Sequence, residues 1–192
     1  SLYKDETIPE PDNLFDDWKG RGPAAANNEM SVKDHLFMGY DLQNPQGDDE
    51  QYAKAGINLR NRMNPEQRKL WEATFAEENE FLKRARLSEK GMVQWKYQRY
   101  IKNYLRCVAG VDRNVGRVID YLDQNGLSEN TILVYASDQG FYLGDHGWYD
   151  KRWMYEESMR MPMVMSWPGK IKPGKRIESL TQNIDFAPTF LA

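Results

Sequence analysis

Apolar residues follow no period up to about Asn28, where Pro9, Pro11, Gly20, Gly22 and Pro23 punctuate the chain and predict an extended loop laid over something else. From Asn64-Pro65-Glu66-Gln67 a helix is signalled. Asn64 can cap it, Pro65 suits the first helical position, Gln67 completes a capping box, and the pattern runs to about Leu87. In the longer helix that follows, Tyr97, Ile101, Tyr104, Val108, Val111, Val115, Val118 and Leu122 recur at spacings of four and three. They form one apolar stripe, which must pack on a sheet or another helix. Asn125-Gly126 offers a left-handed stop.

The period then changes. Residues 131–136 are short, β-branched and apolar on both faces, as a strand buried in a parallel sheet requires. A helical stretch over 153–159 precedes a second buried strand at 162–167. Pro168-Gly169 and Pro173-Gly174 bracket a turn, and residues 184–191 open another helix with Asp185 as candidate cap. The expected class is α/β, a mostly parallel sheet flanked by helices. Residues 1–63 form an irregular wrapping segment and residues 64–192 carry the helices and strands.

Composition narrows the function. The 192 residues are 40% hydrophobic and 29% charged, enough for a core and an ordinary soluble surface. With a net charge of -3 and no basic stripe, nothing points to nucleic acid. No apolar run approaches the roughly 20 residues of a membrane span. The start, Ser1-Leu2-Tyr3-Lys4-Asp5-Glu6, is too polar for a signal peptide. Cys107 has no partner for an internal disulfide, and between Leu105 and Val108 it reads as a small buried hydrophobe.

The chemistry concentrates after the first strand, at the end where open α/β sheets bind ligands. Asp138 and Gln139 offer hard oxygens suited to calcium or magnesium and poor for zinc. Lys151 lies beyond Gly144 and Gly147, which would let backbone approach an anion, and its ammonium could hold a sulfate or phosphate oxygen. His146 could donate to the same anion or to a sugar hydroxyl. Taken singly, Asp138 also reads as a turn residue, Lys151 as a solvated amine and His146 as a loop histidine bonded to backbone. Trp148, Tyr149, Trp153 and Tyr155 suit either packing or stacking on sugar rings. His35 has no chemical neighbour in sequence and receives no role.

Read together, these residues carry a resemblance. Ser137-Asp138-Gln139-Gly140, Gly144-Asp145-His146-Gly147, Lys151, and Tyr155-Glu156-Glu157-Ser158-Met159-Arg160-Met161-Pro162 resemble the second signature region of the type I sulfatases, within the alkaline phosphatase superfamily. The helix around Tyr104-Leu105-Arg106-Cys107 and the segment Asn183-Ile184-Asp185-Phe186 resemble its flanks. The likeness is greatest to bacterial glycan sulfatases of the N-acetylglucosamine-6-sulfatase type.

That resemblance implies a sulfuric ester hydrolase acting on a sulfated carbohydrate, periplasmic or secreted. It implies a formylglycine nucleophile made from Cys or Ser in a Cys/Ser-x-Pro/Ala-x-Arg motif. It implies that Asp138 and Gln139 ligate calcium, that Lys151 contacts the sulfate as a catalytic residue, and that His146 contacts substrate. Glu156 and Arg160 are expected to be structural, Arg160 paired to a carboxylate. The nucleophile motif does not occur in this sequence. Neither Asp16-Asp17, in a loop, nor Asp48-Asp49, in a polar run, follows a strand as the family's paired metal aspartates do. The sequence thus reads as an internal piece of such a catalytic domain, inactive alone. The alternatives are a phosphoester or phosphonate hydrolase of the same superfamily and a non-catalytic glycan-binding relative.

Overall fold

The computed structural model describes residues 2–44 and 50–192, so Asp48-Asp49 lies outside the described residues. Six α-helices and two strands follow in the order α1 (Pro23–Ala26), α2 (Glu50–Asn61), α3 (Pro65–Arg84), α4 (Glu89–Gln124), β1 (Leu133–Ala136), α5 (Glu156–Met159), β2 (Met163–Ser166) and α6 (Phe186–Leu191) among the described residues. The chain divides into two compact units. One comprises Ser1–Gly110 and Tyr142–Asp150, the other Val111–Phe141 and Lys151–Ala192.

The first unit holds the core. Leu14, Val32, Leu36 and Leu42 from the leading segment pack on Val93, Tyr97 and Ile101 of α4. These contacts lay residues 14–42 on α4, and α1 and α2 make residues 1–63 less irregular than their sequence suggests. Arg99 is buried among them at 2% exposure, and each of its guanidinium nitrogens has a partner. It donates to the Leu42 carbonyl (3.0 Å), to Asn79 Oδ1 (3.2 Å) and to Glu78, and stacks 3.9 Å above Phe75. α3 begins as its sequence predicts: the Gln67 amide donates to Asn64 Oδ1 (2.9 Å), and the Asn64 amide donates to Gln67 Oε1 (3.0 Å).

The second unit differs from the sequence reading. β1 and β2 pair antiparallel, Leu133 opposite Ser166 and Ala136 opposite Met163, so the described strands supply no parallel pairing. Neither strand is buried: Tyr135 is 44% and Val164 62% exposed. Two four-residue strands have no covering layer within this unit, and a sheet face is buried only where a second layer lies on it. The α4 stripe divides likewise, with Tyr97 and Ile101 buried but Val111 and Val118 about half exposed. Cys107 is exposed rather than buried, because the apolar contacts of α4 gather at Val93, Tyr97 and Ile101, and Cys107 lies beyond them. At the end of α4, Gly126 (φ +66°) closes a Schellman turn: Leu127 N–H donates to Leu122 O and Gly126 N–H to Asp123 O. Asp185 caps the turn before α6 rather than α6 itself, accepting from the Gln182 amide at 2.7 Å.

Candidate active site

In the second unit the loop leaving β1 is fixed by a short network. Ser137 Oγ donates to the Gln139 carbonyl (2.7 Å), and Asn183 Nδ2 donates to the Ser137 carbonyl (3.4 Å). The Gly140 amide donates to the Ser158 carbonyl of α5 at 2.7 Å. A Cβ at Gly140 would stand 2.1 Å from the Glu157 carbonyl oxygen and 2.9 Å from that of Arg160, so only glycine lets the loop approach α5 so closely. Asp138 is thereby presented at the strand end with its carboxylate exposed, and Gln139 beside it half-buried.

These two side chains give a carboxylate and an amide oxygen, the donor chemistry of a hard divalent cation. Two donors do not complete a calcium shell. Among the described residues no cluster of three or more His, Cys, Asp or Glu side chains gathers to finish one. Further ligands would have to come from elsewhere.

Lys151 is exposed, and its Nζ lies 5.5 Å from the ring centroid of Phe141, the residue after Gly140. Its carbonyl accepts the Ser158 hydroxyl at 2.6 Å. The second unit thus contains Asp138, Gln139 and Lys151. Arg160 is exposed, and no carboxylate among the described residues pairs with it; its contact is the amide donation to the Glu156 carbonyl that ends α5.

His146 belongs to the first unit. Its Nδ1 lies 3.1 Å from Asp16 Oδ2, 3.2 Å from an Arg21 guanidinium nitrogen and 3.3 Å from Asn13 Nδ2. Its carbonyl accepts the Trp18 indole N–H at 2.8 Å. Arg21 also pairs with Asp16 at 2.5 Å. Burial would raise the Asp16 carboxyl, but donation from Arg21, the Trp18 amide and His146 outweighs it and holds the carboxyl down to about 2. The imidazole is therefore tied to the leading segment, a set of partners that sequence reading did not find. No local signal could have found them, because they lie 125 or more residues away.

The glycines of this loop also act differently from expectation. Gly144 (φ +105°) meets the Tyr97 ring, where a Cβ would be 2.6 Å from a ring carbon, and Gly147 (φ +71°) closes on the Leu14 carbonyl. Their close approaches are to protein atoms. Trp148 is fully buried, edge-on to Tyr142 at 5.1 Å and stacked on Trp18 at 6.1 Å, so packing accounts for it. His35 accepts from Ser31 and takes the Tyr149 hydroxyl on its carbonyl, holding turns together.

Comparison with known proteins decides the lineage. The family model described as Sulfatase matches residues 16–192. The chain belongs to the sulfatase family. This sulfatase chain is 42% identical over 194 aligned residues to an N-acetylglucosamine-6-O-sulfatase of Bacteroides thetaiotaomicron, covering 99% of itself and 34% of that protein. It is 35% identical over 89 residues to a multifunctional alkaline phosphatase superfamily protein of Trinickia caryophylli, covering 46% of itself and 17% of that protein. Its fold matches BT4656, solved in complex with its substrate D-glucosamine-2-N,6-O-disulfate, with a TM-score of 0.91 and 40% identity over 99% of this chain and 39% of that one. The sulfatase chain thus spans about a third of the length of the N-acetylglucosamine-6-O-sulfatase it matches. The sulfatase-type fold expected from its motifs is matched, while the mostly parallel sheet is not seen among the described strands.

Proposed function

We propose that the complete protein containing this chain is a sulfuric ester hydrolase that removes sulfate from a glycan, with 6-O-sulfated N-acetylglucosamine as the leading substrate. The 42% identity to an N-acetylglucosamine-6-O-sulfatase across nearly the whole chain carries this reading. On it, residues 1–192 are the middle to late part of the large catalytic domain, and the enzyme works in the periplasm or outside the cell. Among the described residues no helix is long and apolar enough to cross a membrane.

Asp138 and Gln139 are the two residues of this chain that would hold calcium, their oxygens fitting a hard cation. Bound calcium supplies Lewis acidity toward a sulfate oxygen. Lys151 places an ammonium where it can donate to the sulfate oxygens and offset charge as the ester bond to the sugar breaks. His146 stays a proposed substrate contact on the family resemblance alone. The formylglycine nucleophile is supplied by a Cys or Ser outside this chain, since no residue here carries its motif.

Lys151 is exposed, so Lys151→Ala in the complete protein should leave the melting temperature nearly unchanged and lower sulfate release from N-acetylglucosamine-6-sulfate by roughly 10²-fold or more. Ion chromatography of released sulfate checks this, and undiminished turnover removes Lys151 from the mechanism. The kinship to a multifunctional alkaline phosphatase superfamily protein favours phosphoester hydrolysis as a second reading. Matched sulfate and phosphate monoesters of one alcohol separate the two by the ratio of kcat/KM.

A further inference from the structure

We propose that Ser158 is a positioning residue for Lys151, an inference that rests on the sulfatase reading above. Ser158 makes two bonds in opposite directions. Its hydroxyl donates to the Lys151 carbonyl at 2.6 Å, and its own carbonyl accepts the Gly140 amide at 2.7 Å. Gly140 directly follows the candidate ligands Asp138 and Gln139, and it sits against α5 too tightly for any other residue. The ring is closed on the far side by Lys151, whose Nζ lies 5.5 Å from the Phe141 ring centroid. Gly140, Ser158, Lys151 and Phe141 therefore form a closed circuit of two hydrogen bonds, one cation–π contact and one peptide link.

The hydroxyl is what fixes the lysine's origin. A serine in a helix commonly bonds back to the carbonyl four residues earlier. This one reaches seven residues back, to the carbonyl of Lys151 itself. Lysine's charge rides on a flexible four-carbon stem, so where the ammonium can reach is set by where its backbone is held. In a site built on geometry, a misplacement of about 1 Å costs up to about 10²-fold in rate. The Ser158 hydroxyl thus couples the lysine to the strand-end loop, although it touches neither substrate nor metal.

The test uses the complete protein carrying Ser158→Ala, Ser158→Thr, Lys151→Ala and the Ser158→Ala/Lys151→Ala pair. Ser158→Ala is expected to lower kcat about tenfold with KM changed less than about threefold, and Ser158→Thr, which keeps a hydroxyl, to restore most of the rate. In the Lys151→Ala background, Ser158→Ala should change kcat by less than about twofold, because there is no ammonium left to position. An equal loss in both backgrounds overturns the proposal. Hydrogen exchange reads the tether without turnover: Ser158→Ala should speed exchange at residues 151–155 by roughly fivefold, while the Gly140 amide, bonded to backbone, stays protected. Unchanged exchange at 151–155 also overturns it. Absence of sulfate release from the unsubstituted protein rejects the sulfatase reading instead, and leaves exchange to judge the tether.

Discussion

Asp16 keeps its charge far into acid because Arg21, the Trp18 amide and His146 all donate to it, and this gives the first unit a pH signature. Its carboxyl is held down from 3.8 to about 2, so the carboxylate favours the folded state. Asp16 contributes stability that is fully present above the unfolded value and lost as pH falls from about 4 toward 2, worth about 1–2 kcal/mol for a carboxylate that is mostly but not wholly buried. Asp16→Asn should therefore be less stable than the unsubstituted protein at pH 6, and the difference should narrow by about 1 kcal/mol or less by pH 3. Urea midpoints at the two pH values check this; a constant gap would show that the carboxylate's charge contributes nothing. At the same scale, Ser158 shows how a small hydroxyl gains consequence from what it is bonded to. The signature region includes both Lys151 and Ser158, but the bond between them is seen only once the chain is folded.

At the scale of elements, those with local signals are legible and those without are not. α3 needs only Asn64, Pro65 and Gln67, within four consecutive residues, whose bonds are to one another or to the first turn, so its start follows from sequence. Asn64→Ala removes the side-chain acceptor and should cost about 1 kcal/mol without altering turnover, measured by denaturation and sulfate release together. α2 gave no such signal. Its buried residues include Gly56, which packs on the Gly39 carbonyl, and Arg60, whose guanidinium lies 5.4 Å from the Trp71 ring centroid; neither residue type marks an apolar stripe. β1 and β2 were found by composition at nearly their observed positions, but composition does not state which way two strands run. Their pairing is antiparallel. The candidate site divides in the same manner. Asp138, Gln139 and Lys151 are singled out by the family resemblance, while the partners of His146 come from another part of the chain altogether.

At the scale of the whole molecule, burial is unequal. Every described residue below 9% exposure lies in the first unit, and none of the second unit's residues reaches that burial. α4 runs through both, so one helix samples two levels of protection. Amides of residues 93–101 should exchange at least about tenfold more slowly than those of 111–122 in the 192-residue chain, although the helical hydrogen bonding is the same. Uniform protection along α4 would refute the division. The stripe from Val111 onward leaves Val111, Val118, Ile119 and Tyr121 exposed.

The His146 contacts also have a cost in time. Asn13, Asp16 and Arg21 leave the ribosome 125 to 133 residues before the imidazole they hold. At ordinary synthesis rates of about 5–20 residues per second, that interval is roughly 6–27 s. Only once residues 93–101 have emerged can the leading segment dock on the start of α4, and from then until residue 146 it lacks the loop that locks it, leaving the nascent chain half-clasped and open to chaperone or protease.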